Sequence, residues 1–503
     1  MREGESVGVG PDALFEAVHG GDADAVVRAL RSGVPADATD DEGQTALYVA
    51  ALHNDLGVVR LLLAAGADPE RPSGDDGGDL PLCGAAVGGH AQVVRALLSA
   101  GARPDTAESM GFRALTWAVQ QGYATTTRVL LEAGADPELP GPGGEPPLVV
   151  AARRGSPRTV RALLDHGATA HRATLSAALA EARPWLERDV AQEVRTSLLD
   201  TWEDVTGTVT RRVSEEGGVT VVVEVLRDGR TVGGRESQTG HAAVVTLLES
   251  ALGIRTPYAQ LADRALRCGH RAQDNWTEQV SALWARGDEE TFQAAQAWCA
   301  STDPLRRAFG ADVLARLDGP DGALSGRAVQ VLRVVTREAT APVLIEAAVA
   351  ALGVRADASS LPDVLRHAPH PSPAVRRQVA RSLASLVTDA DGEGIAALVG
   401  LSADPNAGVR DRATASLAKS PADTPEIREA LAARLGDPDP ATAAEAAGGL
   451  ARRQDPRAVP ALVRLLADGT PDGPAYETAL AAVDAITDET TRRRLESTVP
   501  RCR

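Results

Sequence analysis

Five glycines at near-constant spacing constrain this chain more than any other feature of it. Gly33, Gly66, Gly101, Gly134 and Gly167 lie 33, 35, 33 and 33 residues apart. A period of this size marks a stack of small supersecondary units, none of which can bury its apolar face alone. The flanking sequence recurs with the glycines. Val59-Arg60-Leu61-Leu62-Leu63-Ala64-Ala65-Gly66-Ala67-Asp68-Pro69 returns as Val94-Arg95-Ala96-Leu97-Leu98-Ser99-Ala100-Gly101-Ala102-Arg103-Pro104, then around Arg128–Pro137 and Leu163–Ala168. Each glycine ends an apolar helical pattern, where a left-handed cap suits a residue without Cβ. A second landmark precedes each of the last four: Gly43-Gln44-Thr45-Ala46-Leu47, Gly78-Asp79-Leu80-Pro81-Leu82, Gly111-Phe112-Arg113-Ala114-Leu115 and Gly144-Glu145-Pro146-Pro147-Leu148. A turn glycine, a Thr cap or first-turn Pro, and then a Leu predict a helix entering the core.

These residues resemble an ankyrin repeat array over about residues 10–170, in five units. Gly89-His90 keeps the family's second-helix start. The Thr-Pro-Leu-His box departs: its last position holds Tyr48, Cys83, Thr116 and Val149, so the tie that the family's His makes between neighbouring hairpins is missing.

A different repeat fills about residues 275–490. Asp404-Pro405-Asn406-Ala407-Gly408-Val409-Arg410 echoes Ser372-Pro373-Ala374-Val375-Arg376, Asp437-Pro438 follows 33 residues after Asp404-Pro405, and Asp303-Pro304 opens an earlier copy. Helix, Asp-Pro turn and a second helix beginning Val-Arg resemble HEAT repeats, with Asp expected to cap the second helix and Pro to occupy its first turn. Thr442-Ala443 replaces Val-Arg in the copy at Asp437. The resemblance implies that Arg376 and Arg410 stack against an Asp of a neighbouring unit; Arg377 and Arg412 are open to facing outward, but no basic stripe accompanies them for a phosphate role.

Residues 171–274 follow neither pattern. Ser176–Leu199, broken at Pro184, predicts helices closing the first array. The Val- and Thr-rich runs Thr208–Val213 and Val219–Leu226 predict a β-hairpin, with a third strand after Asp228-Gly229. His241–Glu249 copies the second half of an ankyrin unit, so the hairpin reads as an insertion inside a degenerate repeat. The expected fold is therefore mainly all-α: tandem α-solenoids, ankyrin-like then HEAT-like, with a small β-hairpin insertion between them and a tail at 491–503.

Composition limits the function. Aromatics make up 3% of the chain, which suits thin Ala-rich helical layers. The formal charge is −17, which disfavours phosphate backbones. Lys419 is the single lysine; with abundant Ala, Gly, Pro and Val this composition points to a GC-rich, bacterial genome. No run is apolar for the eighteen or so residues of a membrane span, and the start lacks a leader pattern, so a cytoplasmic location is expected. Four dispersed cysteines, Cys83, Cys268, Cys299 and Cys502, form no disulfide or zinc framework. There is no phosphate loop, His-Glu-x-x-His or nucleophile elbow. His367 and His370 read as turn residues, and Cys268 with His270 is a poor dyad because residues two apart do not share a helix face. Trp276, Trp284, Phe292 and Trp298 read as helix core. No catalytic, cofactor or metal residue is assigned.

The ankyrin resemblance implies partner contacts at hairpin tips and first helices. The positions that match are Asp41, Glu42, Gln44, Leu52 and His53, then Asp79 and Val87, then Phe112, Gln120 and Gln121, then Glu145, Arg153 and Arg154. Phe112 is expected to be an exposed tip aromatic and the main anchor. Residues 1–170 carry 13 basic and 23 acidic side chains, which suits a neutral or basic protein partner. The expected role is a non-catalytic scaffold or adaptor, with neither nucleic acid nor membrane as partner and the oligomeric state unassigned. Two alternatives stand. One is an enzyme, since the HEAT-like half also resembles bilin lyases and would then carry a pocket lined by Trp284 and Trp298. The other is a nucleic-acid-binding HEAT protein with an Arg-lined groove.

Overall fold

The computed structural model describes residues 10–74, 78–168, 171–215, 218–388, 392–469 and 473–497. Asp75-Asp76, Glu216-Gly217 and Cys502 lie outside the described residues. The chain divides into two compact units, Met1–Ala282 and Leu283–Arg503. Both are stacks of paired helices, so the mainly helical tandem-solenoid class read from the sequence is the one found.

The first unit opens with five helix pairs. They are α1 (Pro11–His19) and α2 (Ala23–Arg31), α3 (Ala46–Leu52) and α4 (Leu56–Ala64), α5 (Pro81–Val87) and α6 (Ala91–Ser99), α7 (Ala114–Gln121) and α8 (Ala124–Glu132), and α9 (Pro147–Arg154) and α10 (Pro157–Asp165). First helices pack on first helices and second on second. Leu14, Leu47, Leu82, Leu115 and Leu148 thereby join Leu62, Leu97, Leu130 and Leu163 in one continuous core. The five period glycines end the second helices with φ between +92° and +105°, the left-handed conformation that their position demands.

A sixth pair continues the stack although its helices are far apart in sequence. α11 (Arg172–Ala182) packs on α9 as a first helix does, and a later helix, His241–Ala251, packs on α10 and α11 as a second helix does. The equivalence extends to single bonds. His90 at the start of α6 places Nε2 3.0 Å from the Leu52 carbonyl at the end of the preceding first helix, α3. His241 places Nε2 3.0 Å from the carbonyl of Arg153, near the end of α9. Residues 183–240 are therefore an insertion within one repeat.

The insertion has its own small core. A 3₁₀ turn (Arg183–Glu187) leads to α12 (Val190–Thr201) and to β1 (Gly207–Glu215), β2 (Gly218–Arg227) and β3 (Arg230–Gln238). The sheet is a three-stranded antiparallel meander, with Gly207 opposite Leu226 and Glu215 opposite Gly218. The β2–β3 turn places Asp228 and Gly229 at φ +52° and +76°, the pair of positive values a two-residue type I′ hairpin needs. Val221, Val223 and Val225 alternate onto one face and bury against Val190, Val194 and Leu198 of α12. Burying each of these valines contributes roughly 1.5–3 kcal/mol. This corrects the expectation for Ser176–Leu199: α11 extends the stack, whereas α12 underlies the sheet. The remaining helix of the repeat becomes α13 (His241–Ala251), followed by α14 (Tyr258–Cys268) and α15 (Asp274–Arg286), within which the unit boundary falls.

His241 fixes the insertion to its repeat. Its ring is buried and stacked on Trp185, centroids 4.8 Å apart and planes 10° apart. Gly155, at φ +74°, makes room for it, since a Cβ there would lie 2.5 Å from the imidazole. Burial pushes the His241 pKa down to about 4, so the ring is neutral at pH 7.

The second unit contains α16 (Glu289–Cys299), α17 (Pro304–Leu314), α18 (Ser325–Glu338), α19 (Pro342–Arg355), α20 (Leu361–Leu365), α21 (Pro373–Leu386) and α22 (Gly392–Leu401). It continues through α23 (Ala407–Lys419), α24 (Pro425–Arg434), α25 (Pro440–Arg452), α26 (Ala458–Asp468), α27 (Pro474–Val483) and α28 (Glu489–Glu496). Helices α17, α19, α21, α23, α25 and α27 pack consecutively into one layer. Asp303 caps α17 as expected, accepting from Leu305 and Arg306 N–H. At the other two Asp-Pro turns the cap lies two residues later. Asn406 accepts from Val409 N–H at 3.2 Å and Asp439 from Thr442 N–H at 3.2 Å.

That offset frees Asp404 and Asp437 for another role. Arg376 grips Asp404 through two bonds of 2.7 and 2.9 Å, and Arg410 grips Asp437 through two of 2.9 Å. Both aspartate side chains are covered, and the guanidinium bonds hold their pKa values below the usual carboxylate range. The ladder implied by the HEAT resemblance is thus present, each arginine reaching one unit forward.

Two outcomes follow. Arg410→Met leaves Asp437 buried without its fork and is expected to destabilise the second unit by roughly 3 kcal/mol. Because Asp404 and Asp437 have depressed folded pKa values, their contribution is full above about pH 4 and lost as pH falls through those values. Thermal unfolding of Arg410→Met should therefore fall less steeply with acid than the wild type; equal slopes would contradict the ladder. His241 has the same sign, because its folded pKa lies below the unfolded value of about 6.5. Docking of the insertion should weaken as pH falls from about 6.5 toward 4, and hydrogen exchange in α13 of His241→Gln should lack that dependence.

Candidate partner-binding face

The hairpin tips and first helices of the first unit carry the residues expected to meet a partner, and the structure sorts them into three groups. Asp41 and Glu42 stand exposed at the first tip, as do His53 at the end of α3 and Gln120 on α7. Leu52 is at the edge of exposure, and Gln44, Val87 and Gln121 are half-buried. The tip itself is built by Asp40, whose carboxylate accepts from Glu42 N–H at 3.0 Å and Gln44 N–H at 2.7 Å.

A second group lines one groove of about 290 Å³ between the third and fourth hairpins, where Phe112, Gln120, Pro142, Glu145, Val150 and Arg153 meet. Phe112 is half-buried and stacked on Trp117, centroids 4.1 Å apart and planes 13° apart. This corrects the expectation of a bare tip aromatic: Trp117, one turn into α7, covers one face of the ring. At the rim, Arg153 bonds Glu145 at 3.0 Å and Glu181 at 3.0 Å. One guanidinium between two carboxylates leaves a net negative rim, and the Arg153 bond holds the Glu145 carboxyl below its usual range.

The third group is already engaged. Arg154 pairs with Glu236 on β3 and is largely covered, its side chain 13% exposed. It is not available to a partner, because the inserted sheet occupies that position. Asp79 hydrogen-bonds Tyr48 and helps to push its phenol up to about 12, after burial.

Tyr48 supplies the tie that the missing box histidine left open. At the same box position one unit later, Cys83 bonds Glu108, and burial with that carboxylate pushes the thiol up. Glu108 occupies the tip position of Asp40 but is one methylene longer. It reaches back to Leu80 N–H at 3.3 Å and also accepts from the Trp117 indole at 2.9 Å.

The sequence reading missed a second set of ties entirely. An acid stands four residues after each of the first four period glycines: Asp37, Glu70, Asp105 and Glu138. Asp37 accepts from Asp68 N–H at 2.9 Å, Glu70 from Arg103 N–H at 2.9 Å and Asp105 from Asp136 N–H at 3.1 Å, each donor one repeat further on. Glu138 meets His171 at 3.7 Å. Glu70 also accepts from Arg103 Nε at 2.8 Å and Thr106 Oγ1 at 2.9 Å. The signal was present, since these acids share the glycine period.

The other chemistry-bearing residues serve packing or local turns. Trp276 is buried in the first unit. In the second unit Trp298 packs on Phe309 at 5.1 Å, while Trp284 donates its indole N–H to the Val313 carbonyl at 2.7 Å with Arg316 over its face. His367 Nε2 lies 3.0 Å from the Thr336 carbonyl, and His370 Nδ1 accepts from Ser372 N–H at 3.1 Å. The Cys268 thiol donates to the Ala265 carbonyl at 2.9 Å, and burial raises its pKa, which disfavours the thiolate. His270 Nδ1 accepts from Ala272 N–H. Among the described residues no helix is long and apolar enough to cross a membrane.

Two segments match known repeat families. Residues 3–73 and 70–141 match a model of ankyrin repeats, and residues 329–418 and 395–483 match a model of HEAT repeats. No curated protein matches the chain.

The ties make a sharp contrast with the exposed tips. Glu70→Ala removes three hydrogen bonds between neighbouring repeats and is expected to destabilise the first unit by about 2 kcal/mol. Asp41→Ala, at an exposed tip, should stay within about 0.5 kcal/mol of wild type. Denaturant midpoints of the two variants check this; equal effects would remove the distinction between tie and tip.

Proposed function

We propose that this chain, which carries ankyrin repeats over residues 3–141 and HEAT repeats over residues 329–483, is a non-catalytic scaffold or adaptor that binds a protein partner through the groove at Phe112. Ankyrin and HEAT repeats are generally protein-interaction scaffolds. The observation that carries the specific reading is the groove itself. It joins Phe112, which Trp117 backs, with Pro142 and Val150 to a rim where Arg153 is shared by two carboxylates. An apolar residue of a partner segment fits against Phe112, and a neighbouring Lys or Arg meets the acidic rim. The exposed Asp41 and Glu42 extend that acidic character along the tips. Such charges speed encounter and set orientation, while the buried anchor supplies most of the affinity.

The test is affinity capture with the full chain from the cells that make it, comparing wild type with Phe112→Ala/Gln120→Ala and with Arg381→Ala on α21. The proposal expects a stoichiometric protein retained by wild type and Arg381→Ala, with at least about tenfold less on the groove variant. Equal retention by the groove variant would contradict it.

A further inference from the structure

The seam between the insertion and the repeat that hosts it contains a cavity of about 360 Å³, within the range of small-molecule sites. Arg188 ahead of α12, Arg212 on β1, and Arg264 and Arg267 on α14 line it, against a single carboxylate among the described residues, Asp189. That carboxylate is committed to the start of α12, where it accepts from Ala191 N–H at 2.8 Å and Gln192 N–H at 3.2 Å. Four arginines from three separate segments line one cavity in a chain whose formal charge is −17.

The nearby acids do not neutralise this charge firmly. Arg264 is the exception: buried Glu249 takes it through two bonds of 2.8 and 3.3 Å and also meets Arg183 at 3.0 Å, so the charge open to a ligand is that of the other three arginines. Arg267 meets Glu187 at 3.3 Å, but that carboxylate is 80% exposed. Arg188 comes only within 3.9 Å of Glu193, and Arg212 is exposed. The solvated pairs of Arg267 and Arg188 contribute little and can be exchanged for a better anion. Trp185 provides an apolar wall held in place by its stack on His241, which stays neutral and adds no charge.

We propose that this cavity binds a small molecule carrying a phosphoryl group. Guanidinium forks arriving from several directions match a tetrahedral dianion with three free oxygens, whereas a planar carboxylate occupies one fork. The volume exceeds what a bare phosphate fills, so the rest of the molecule lies along Trp185. The bound ligand bridges the segment before α12 and β1 of the insertion to α14, the helix that follows the host repeat, and so secures the insertion against the stack.

Isothermal titration of the full chain at fixed salt with pyrophosphate, ATP and citrate tests this. Arg212→Ala and Arg267→Ala are the variants, chosen because both lie outside the buried Glu249 cluster; circular dichroism confirms their fold. Both phosphate probes should bind wild type, citrate at least about tenfold more weakly, and each variant should lose about tenfold or more in affinity for pyrophosphate. Absence of heat with both phosphate probes at millimolar concentration overturns the proposal whatever the variants do. So does citrate binding as tightly as pyrophosphate, or unchanged affinity in both folded variants.

Discussion

A carboxylate in one repeat that accepts a hydrogen bond from a neighbouring repeat is the interaction on which this structure depends. A helix pair of this size cannot bury its apolar face unless a neighbour covers it, so the register between pairs decides whether a core forms. In the first unit Asp37, Glu70 and Asp105 each hold a backbone N–H one repeat onward. In the second, Asp404 and Asp437 receive the guanidiniums of Arg376 and Arg410. The chemistry differs, but in both a charged acceptor fixes how far one layer slides on the next. Part of the acidic surplus of the chain is therefore structural, and only the exposed remainder is available to attract a partner.

The inserted sheet shows how far a repeat can be interrupted without losing its geometry. α11 and α13 keep the packing of a contiguous pair, and His241 repeats the bond His90 makes. The insertion asks little of the ankyrin core because its valines bury against α12 in a core of their own. What it adds is a seam, and the seam supplies both the cover over Arg154 and the arginine-lined cavity.

The fold was legible to the extent that its determinants are periodic. The glycine spacing, the helix-start landmarks and the Val-Arg pairs each report one repeat, and the arginine ladder could be drawn from two of them. Contacts between residues with no shared period were not legible. Phe112 looked exposed because Trp117 lies five residues away with nothing to mark the stack. Arg154 looked available because Glu236 stands in a sheet whose docking position no local pattern encodes. The tie acids occupy an intermediate place: they keep the period, but loop-tip acids are so commonly solvated that their regularity passed as composition. The third strand followed from Asp228-Gly229, whereas the role of α12 beneath the sheet did not.

Amide hydrogen exchange at the tie donors tests this account most directly. With intrinsic rates removed, the amides of Asp68, Arg103 and Asp136 should be protected far beyond other turn amides at neutral pH. That protection should collapse in Asp37→Ala, Glu70→Ala and Asp105→Ala respectively, while amides in the middle of α4, α6 and α8 persist longer. Turn-like exchange at all three donors at neutral pH would contradict the claim that carboxylates set the register of the stack.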